Sequence, residues 1–147
     1  MFGDFLRRLT AVQPEPIDGT DVKLALGALL VRIARSDGDY SAVEAEEITQ
    51  ILSRHFDLSA AQAAAMRADA EVLESEAPDT VRFTRAIKDA VSHEDREEVV
   101  EALWELVLAD GTRDHEEDGI MRLVAPLLGI NDRDSALARQ RVVARMG

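Results

Sequence analysis

Apolar residues recur along most of this chain at spacings of three and four, which places them on one face of an α-helix. Between residues 22 and 36 nearly every position is apolar. A helix that is apolar on all sides is expected to lie at the centre of a fold. No stretch alternates apolar and polar residues as a half-buried strand would. The pattern predicts an all-α, single-domain helical bundle of about seven to eight helices.

Capping residues divide this pattern into separate helices. Ser41-Ala-Val-Glu44 and Ser59-Ala-Ala-Gln62 match the capping box, in which the side chains at the first and fourth positions each accept a backbone N–H of the other residue. Pro78 is expected to end the helix that follows Ser59. Further helix caps are predicted at Thr20, Asp79, Ser92, Asp114 and Asn131.

The first 19 residues differ from the rest of the chain. Residues 1–10 are amphipathic, with four large apolar side chains beside Arg7 and Arg8, and residues 11–19 hold two prolines and a glycine. We therefore divide the chain into an N-terminal segment with its linker, 1–19, and a helical domain, 20–147. The segment can pack across a groove of its own bundle, or it can bind a partner or the surface of a membrane.

Two parts of the helical domain follow one plan, in which a buried helix ends in Asp-Gly and a capped helix follows. Asp37-Gly38 and Asp110-Gly111 are 73 positions apart (110 − 37), and the same offset takes Ser41 to Asp114 and Glu44 to Glu117. With one residue deleted, the segment 56–59 falls on 128–131. The sequence therefore predicts an internal pseudo-repeat of two helix–(Asp-Gly turn)–helix units.

Composition narrows the chemistry. The 147 residues include no cysteine and carry a formal net charge of −12. The lack of cysteine excludes disulfides, thiolate metal sites and a cysteine nucleophile. The negative charge argues against nucleic acid and favours cations and basic protein surfaces. No apolar run approaches the roughly 20 residues of a membrane span. We expect a cytoplasmic protein, with peripheral attachment at the inner membrane face through residues 1–10 as the alternative.

The Asp-Gly turns permit two interpretations. A carboxylate in the last turn of a helix meets the negative end of the macrodipole, at a cost of about 0.3–1 kcal/mol, and a bound divalent cation would compensate it. The candidate ligands are Asp37, Asp39, Ser41 and Glu44 in the first turn, and Asp110, Asp114 and Glu117 in the second. These oxygen donors suit Ca²⁺ or Mg²⁺. Alternatively, the same residues are helix caps that require no metal. Neither turn matches an EF-hand loop.

An acidic stripe and three histidines complete the candidates. The stripe lies on the helix that carries Trp104, itself expected in the core, and consists of Glu94, Glu97, Glu98, Glu101 and Glu105. It is either a solvated face or a docking surface for a basic partner. His55, His93 and His115 stand apart from other histidines, and we assign them no role. No catalytic motif is present, so we expect no enzyme and no organic cofactor.

The two buried helices with their Asp-Gly ends resemble the TerB family of tellurite resistance proteins. The first signature of that family is similar to LALGALLVRIARSDG, residues 24–38, and the second to VEALWELVLADG, residues 100–111. The tryptophan in the second segment is a distinctive detail. The resemblance extends over about residues 22–138, although Thr112-Arg113 replaces Asp39-Tyr40 in the second turn.

The resemblance implies a helical bundle that binds a divalent cation, calcium included, at the acidic turns. That expectation falls on Asp37, Glu44, Asp110 and Glu117, with Asp39, Ser41 and Asp114 as additional ligands. It also implies a non-enzymatic adaptor or sensor in bacterial tellurite and metal stress responses and phage defence, acting with membrane-associated partners. The alternative function is a structural interaction module whose acidic turns are caps and which docks basic or membrane-associated partners.

Overall fold

The structure, a computed structural model, describes residues 19–36, 38, 40–76, 80–109 and 115–146, with the backbone alone for 19–21 and 115–118. The described residues form helices and turns without a strand, which confirms the all-α prediction. The seven helices are α1 Gly19–Arg35, α2 Ala42–Phe56, α3 Ala60–Glu76, α4 Val81–Ala90, α5 His93–Leu108, α6 His115–Leu127 and α7 Asp132–Met146. None of them has both the length and the apolar character needed to cross a membrane.

Helix α1 lies at the centre of the bundle, as its apolar sequence predicts. Every residue from 24 to 31 is buried, and α1 packs against α2, α3, α4, α5 and α6. Its closest approach is to α3, where a Cβ added to Gly27 would lie 2.8 Å from the Cβ of Ala70. Two small residues therefore permit the backbones of α1 and α3 to come together at this crossing.

The predicted caps account for most helix starts. In the first capping box, the Glu44 backbone N–H donates to Ser41 Oγ at 3.1 Å and the Ser41 N–H donates to Glu44 Oε1 at 3.2 Å. Ser59 and Gln62 make the same reciprocal pair. Ser92 accepts from the Asp95 N–H. The side chain of Asn131 likewise caps α7 by accepting from the Asp134 N–H at 2.8 Å.

One predicted cap needs correction, and two lie outside the described residues. Helix α1 already begins at Gly19, so Thr20 is a helical residue rather than a cap. The residue that precedes α4 is Thr80, and its side chain makes no capping hydrogen bond. The proposed caps Asp79 and Asp114 are outside the described part of the chain, as are residues 1–18.

The turns after α2 and α6 have the same backbone geometry. Asp57 has φ 52° and Gly129 has φ 77°, both in the left-handed region. The next residue in each turn donates back across the helix end: Leu58 N–H to the Ser53 carbonyl at 3.1 Å, and Ile130 N–H to the Ala125 carbonyl at 3.0 Å. This is the Schellman pattern of helix termination. After α2 the left-handed position is held by Asp57 rather than by glycine.

Candidate functional site

The first Asp-Gly turn leaves α1 through residues that hydrogen bonds hold in place. The Ser36 N–H and Oγ both donate to the Ile33 carbonyl, at 3.1 and 2.7 Å. The Gly38 N–H donates to the Arg35 carbonyl at 3.0 Å. Gly38 has φ +82°, a conformation that glycine adopts without a Cβ clash. Asp37 and Asp39 are outside the described residues, so the turn is described by Ser36, Gly38 and Tyr40.

The far flank of the turn is the start of α2. Ser41 and Glu44, two of the predicted metal ligands, lie together in the capping box described above. The Ser41 Oγ is also 3.4 Å from Glu44 Oε1. The box is therefore complete without a cation.

Tyr40 ties the turn to α3. Its hydroxyl donates to Glu71 Oε2 at 2.6 Å, and Arg67 Nη1 donates to the same oxygen at 2.9 Å. The guanidinium of Arg35 lies 5.2 Å from the centre of the Tyr40 ring. Burial, together with the hydrogen bond and negative charge of Glu71, raises the pKa of Tyr40 to about 12. These contacts fix the residue between Asp39 and Ser41.

A buried carboxylate on α3 accepts from both arginines at the end of α1. Arg32 Nε donates to Glu74 Oε2 at 3.0 Å, and Arg35 Nη1 donates to Glu74 Oε1 at 2.7 Å. Arg32 Nη2 also donates to the Glu74 backbone carbonyl at 3.1 Å. Both arginines in the last turn of α1 are thus paired with a carboxylate that is not among the predicted ligands.

The second Asp-Gly turn is described only at its margins. Helix α5 ends at Leu108 and the description stops at Ala109. Asp110 and Asp114 are outside the described residues, and Glu117 is described by its backbone alone. Of the seven predicted ligands, the structure therefore brings together Ser41 and Glu44, and the cation site as a whole stays a prediction.

Two members of the acidic stripe on α5 accept hydrogen bonds from arginines on other helices. Glu101 accepts from Arg141 Nε at 3.0 Å and from Arg145 Nη1, both on α7. Glu105 accepts from Arg145 Nη2 at 2.9 Å. It also accepts from Arg54 Nη2 on α2 at 3.2 Å.

The ion pairs set the ionisation of Glu105. Burial alone would raise the pKa of its carboxyl group. Hydrogen bonds and positive charge from His55, with Arg145 and Arg54, outweigh burial and hold that pKa below its usual value. This part of the stripe joins α5 to α2 and α7.

The remaining glutamates of the stripe face outward to different degrees. Glu94 and Glu98 are exposed, whereas Glu97 is half-buried. Glu98 lines a groove of about 380 Å³ whose apolar walls include Phe56, Val91 and Val99. Docking of a partner by the acidic stripe stays a prediction. Of the two exposed glutamates, Glu98 is the one that lies beside the apolar groove.

Two histidines have partners that their isolated positions in the sequence did not indicate. His55 Nε2 lies 3.1 Å from both carboxylate oxygens of Glu105. His93 Nε2 lies 3.2 Å from Glu97 Oε1 and 4.0 Å from Asp134 Oδ2. The spacing of four between His93 and Glu97 was the available signal, because residues i and i+4 of a helix are neighbours. Asp134 comes from another helix and had no local signal.

Comparison with known proteins identifies the family. The family model described as "Tellurite resistance protein TerB" matches residues 23–140, which include both Asp-Gly turns. Comparisons with curated proteins and with solved structures gave no match. The match covers most of the chain and agrees with the helical fold. The chain therefore belongs to the TerB family of tellurite resistance proteins.

Proposed function

We propose that this protein binds a divalent cation of the Ca²⁺ type at its Asp-Gly turns and acts, without catalysis, as a cytoplasmic adaptor or sensor in a tellurite or metal stress response. The observation that carries the proposal is the family match, which covers both turns. The proposed ligands are Asp37, Asp39, Ser41 and Glu44 in the first turn, and Asp110, Asp114 and Glu117 in the second.

The donor chemistry of the turns supports a hard cation. Carboxylate and hydroxyl oxygens are the ligands that Ca²⁺ and Mg²⁺ prefer, and neither turn contributes a thiolate or imidazole to the proposed set. A formal net charge of −12 lowers the electrostatic cost of bringing a dication to the surface. The first turn thus has a donor set that fits the ion.

The flanks of the first turn support a preorganised site. Gly38 is hydrogen-bonded to the end of α1, and Tyr40 is hydrogen-bonded to Glu71 on α3. A turn held on both sides loses less conformational entropy when an ion binds.

A thermal melt with added cation tests the proposal. Chelator-treated protein is melted with increasing Ca²⁺ and, separately, Mg²⁺. At 100 times its dissociation constant, a ligand stabilises the native state by about 2.7 kcal/mol, which corresponds to a rise of several degrees in Tm. We expect a saturable rise with Ca²⁺ that is lost in the double variant Asp37→Asn/Asp110→Asn.

The matched control removes the same charge elsewhere. Asp89 and Asp95 are exposed and belong to neither turn, so Asp89→Asn/Asp95→Asn should keep the Ca²⁺ response of the wild type. An equal response in the turn variant and the control, or no response through millimolar Ca²⁺, would remove the turns from the proposal.

A second candidate function is a purely structural interaction module. The observation that favours it is the complete capping box of Ser41 and Glu44, which gives these two residues a role without a metal. In this case the partner is basic or membrane-associated and is bound by the acidic stripe or by residues 1–10. Co-sedimentation with phosphatidylglycerol vesicles, with and without residues 1–19, tests the membrane form, and equal pelleting of both would reject it.

A further inference from the structure

A histidine and two carboxylates converge where α5 and α7 begin. His93 is the first residue of α5, Glu97 lies one turn later, and Asp134 lies in the first turn of α7. One ligand atom from each of these residues lies within 4.8 Å of the other two. None of the three belongs to an Asp-Gly turn. Among the described residues, they form a group of three side chains whose ligand atoms are close enough to share a metal ion.

The distances fit a small transition-metal ion. Two donors bonded at about 2.0–2.1 Å in a tetrahedral arrangement lie about 3.3 Å apart. His93 Nε2 and Glu97 Oε1 are 3.2 Å apart. His93 Nε2 and Asp134 Oδ2 are 4.0 Å apart, so a small rotation of the exposed His93 side chain or the partly exposed Asp134 side chain closes the set.

The cluster is open to solvent and lies beside Arg141. His93 has half of its side chain exposed, and Glu97 and Asp134 have about a third exposed, so water can supply the fourth ligand. Arg141 Nη2 lies 3.8 Å from Glu97 Oε2, the oxygen that does not face His93. The arginine therefore orients the carboxylate without occupying the position between the three donors.

We propose that His93, Glu97 and Asp134 bind a first-row transition-metal dication, Zn²⁺ in particular, and that this ion joins the start of α5 to the start of α7. A set of one imidazole and two carboxylates with a water in the fourth position is suited to Zn²⁺, whereas Ca²⁺ and Mg²⁺ prefer all-oxygen sites. The chain then has two kinds of cation site, which differ in ligand chemistry.

Isothermal titration with Zn²⁺, together with NMR of the histidine side chains, tests the proposal. His93→Gln and Asp134→Asn should each weaken Zn²⁺ binding by about tenfold or more, since loss of even an outer-shell group costs this much. In the wild type, Zn²⁺ should shift the Nε2 resonance of His93. The chain has three histidines, so these resonances can be assigned by single substitutions.

Matched variants separate this site from its neighbours. Asp132→Asn removes a carboxylate from the same first turn of α7, and His115→Gln removes a histidine beside the second Asp-Gly turn. Both should change the Zn²⁺ affinity by less than about twofold. Circular dichroism without metal should be the same for the wild type and the variants at His93, Asp132 and Asp134, because His93 and Asp132 are exposed and Asp134 is partly exposed.

Two results would overturn the proposal. One is unchanged Zn²⁺ affinity in His93→Gln, which would mean that the cluster is a plain ion pair. The other is loss of Zn²⁺ binding in His115→Gln, which would move the site to the second Asp-Gly turn. Ca²⁺ binding by the turns is tested separately, with Asp37→Asn/Asp110→Asn.

Discussion

The two halves of the bundle use the same kind of ion pair with the charges exchanged. In the first half, Arg32 on α1 pairs with Glu74 on α3. In the second half, Glu105 on α5 pairs with Arg145 on α7. Arg32 and Glu105 are 73 positions apart (105 − 32), the same offset that relates the two Asp-Gly turns. In each half, this position therefore forms an ion pair between the first and the third helix of that half. The residue at the position is positively charged in one half and negatively charged in the other.

The two ion pairs differ in burial. The Arg32 and Glu74 side chains are 18% and 10% exposed, whereas Arg145 is 49% exposed against 11% for Glu105. A buried charge that loses its partner is left without adequate solvation, while an exposed one is solvated by water. We therefore expect the same arrangement to contribute more to stability in the first half than in the second.

The largest expected effect comes from Glu74→Gln. This substitution leaves Arg32 and Arg35 without their shared carboxylate in a partly buried place, and we expect a loss of about 2–3 kcal/mol in the free energy of unfolding. Urea unfolding measures it. A smaller loss of unfolding free energy than in Glu105→Gln under the same conditions would contradict the greater contribution of the first ion pair.

The next effect tests how closely the first and third helices approach. Gly27→Ala gains about 1 kcal/mol of helix propensity, but its Cβ would lie 2.8 Å from that of Ala70, and we expect a net loss of about 1–2 kcal/mol. Gly119 in α6 is the control, because nothing lies within 4 Å of an added Cβ there. Gly119→Ala should stabilise by about 0.5–1 kcal/mol. Stabilisation by both substitutions would contradict the close contact.

Glu105→Gln should have a smaller effect, which depends on pH. The pKa of Glu105 is lowered in the folded protein, so its stabilising contribution is present above the unfolded value of about 4.3 and is lost as pH falls through the folded pKa. At neutral pH we expect a loss of about 1 kcal/mol or less. Unfolding measured from pH 7 down to pH 3 should show a shallower acid decline in the variant. Parallel curves for the variant and the wild type would contradict this role.

The smallest expected effect is a spectroscopic one at the first turn. Tyr40 is the only tyrosine in the chain, so ultraviolet absorbance reports its ionisation directly. We expect a midpoint near pH 12 in the folded protein, and a shift toward 10 in Glu71→Gln. Because the folded pKa is raised, stability should fall as pH rises from about 10 to about 12. The same ionisation midpoint of Tyr40 in folded and in urea-unfolded protein would contradict the Tyr40–Glu71 contact.

Local features were predictable from the sequence because they depend on residues near one another in the chain. The caps at Ser41, Ser59, Ser92 and Asn131 and the central helix α1 follow from side-chain spacing. The burial of Trp104 follows from its apolar neighbours, and its Nε1 donates to Ser135 Oγ at 3.1 Å. The family was also predictable, since its signatures are contiguous segments.

Contacts between helices were not predictable in this way. The pairing of Tyr40 with Glu71 and of His93 with Asp134 depends on how two helices pack, which periodicity does not specify. Spacing alone would place Met121, Leu123 and Val124 together on the buried face of α6, yet Leu123 is 69% exposed. An apolar stripe that is wider than the contact leaves such a residue at its edge.

The most direct measurement of cation binding at the turns is a ¹⁵N–¹H NMR titration with Ca²⁺. Glycine amides resonate in a separate region, and one glycine lies in each turn, Gly38 and Gly111. If Ca²⁺ binds at the turns, we expect saturable shifts of these two amides, with little change at Gly27 inside α1. Saturable shifts confined to glycines outside the turns, or none through millimolar Ca²⁺, would contradict it.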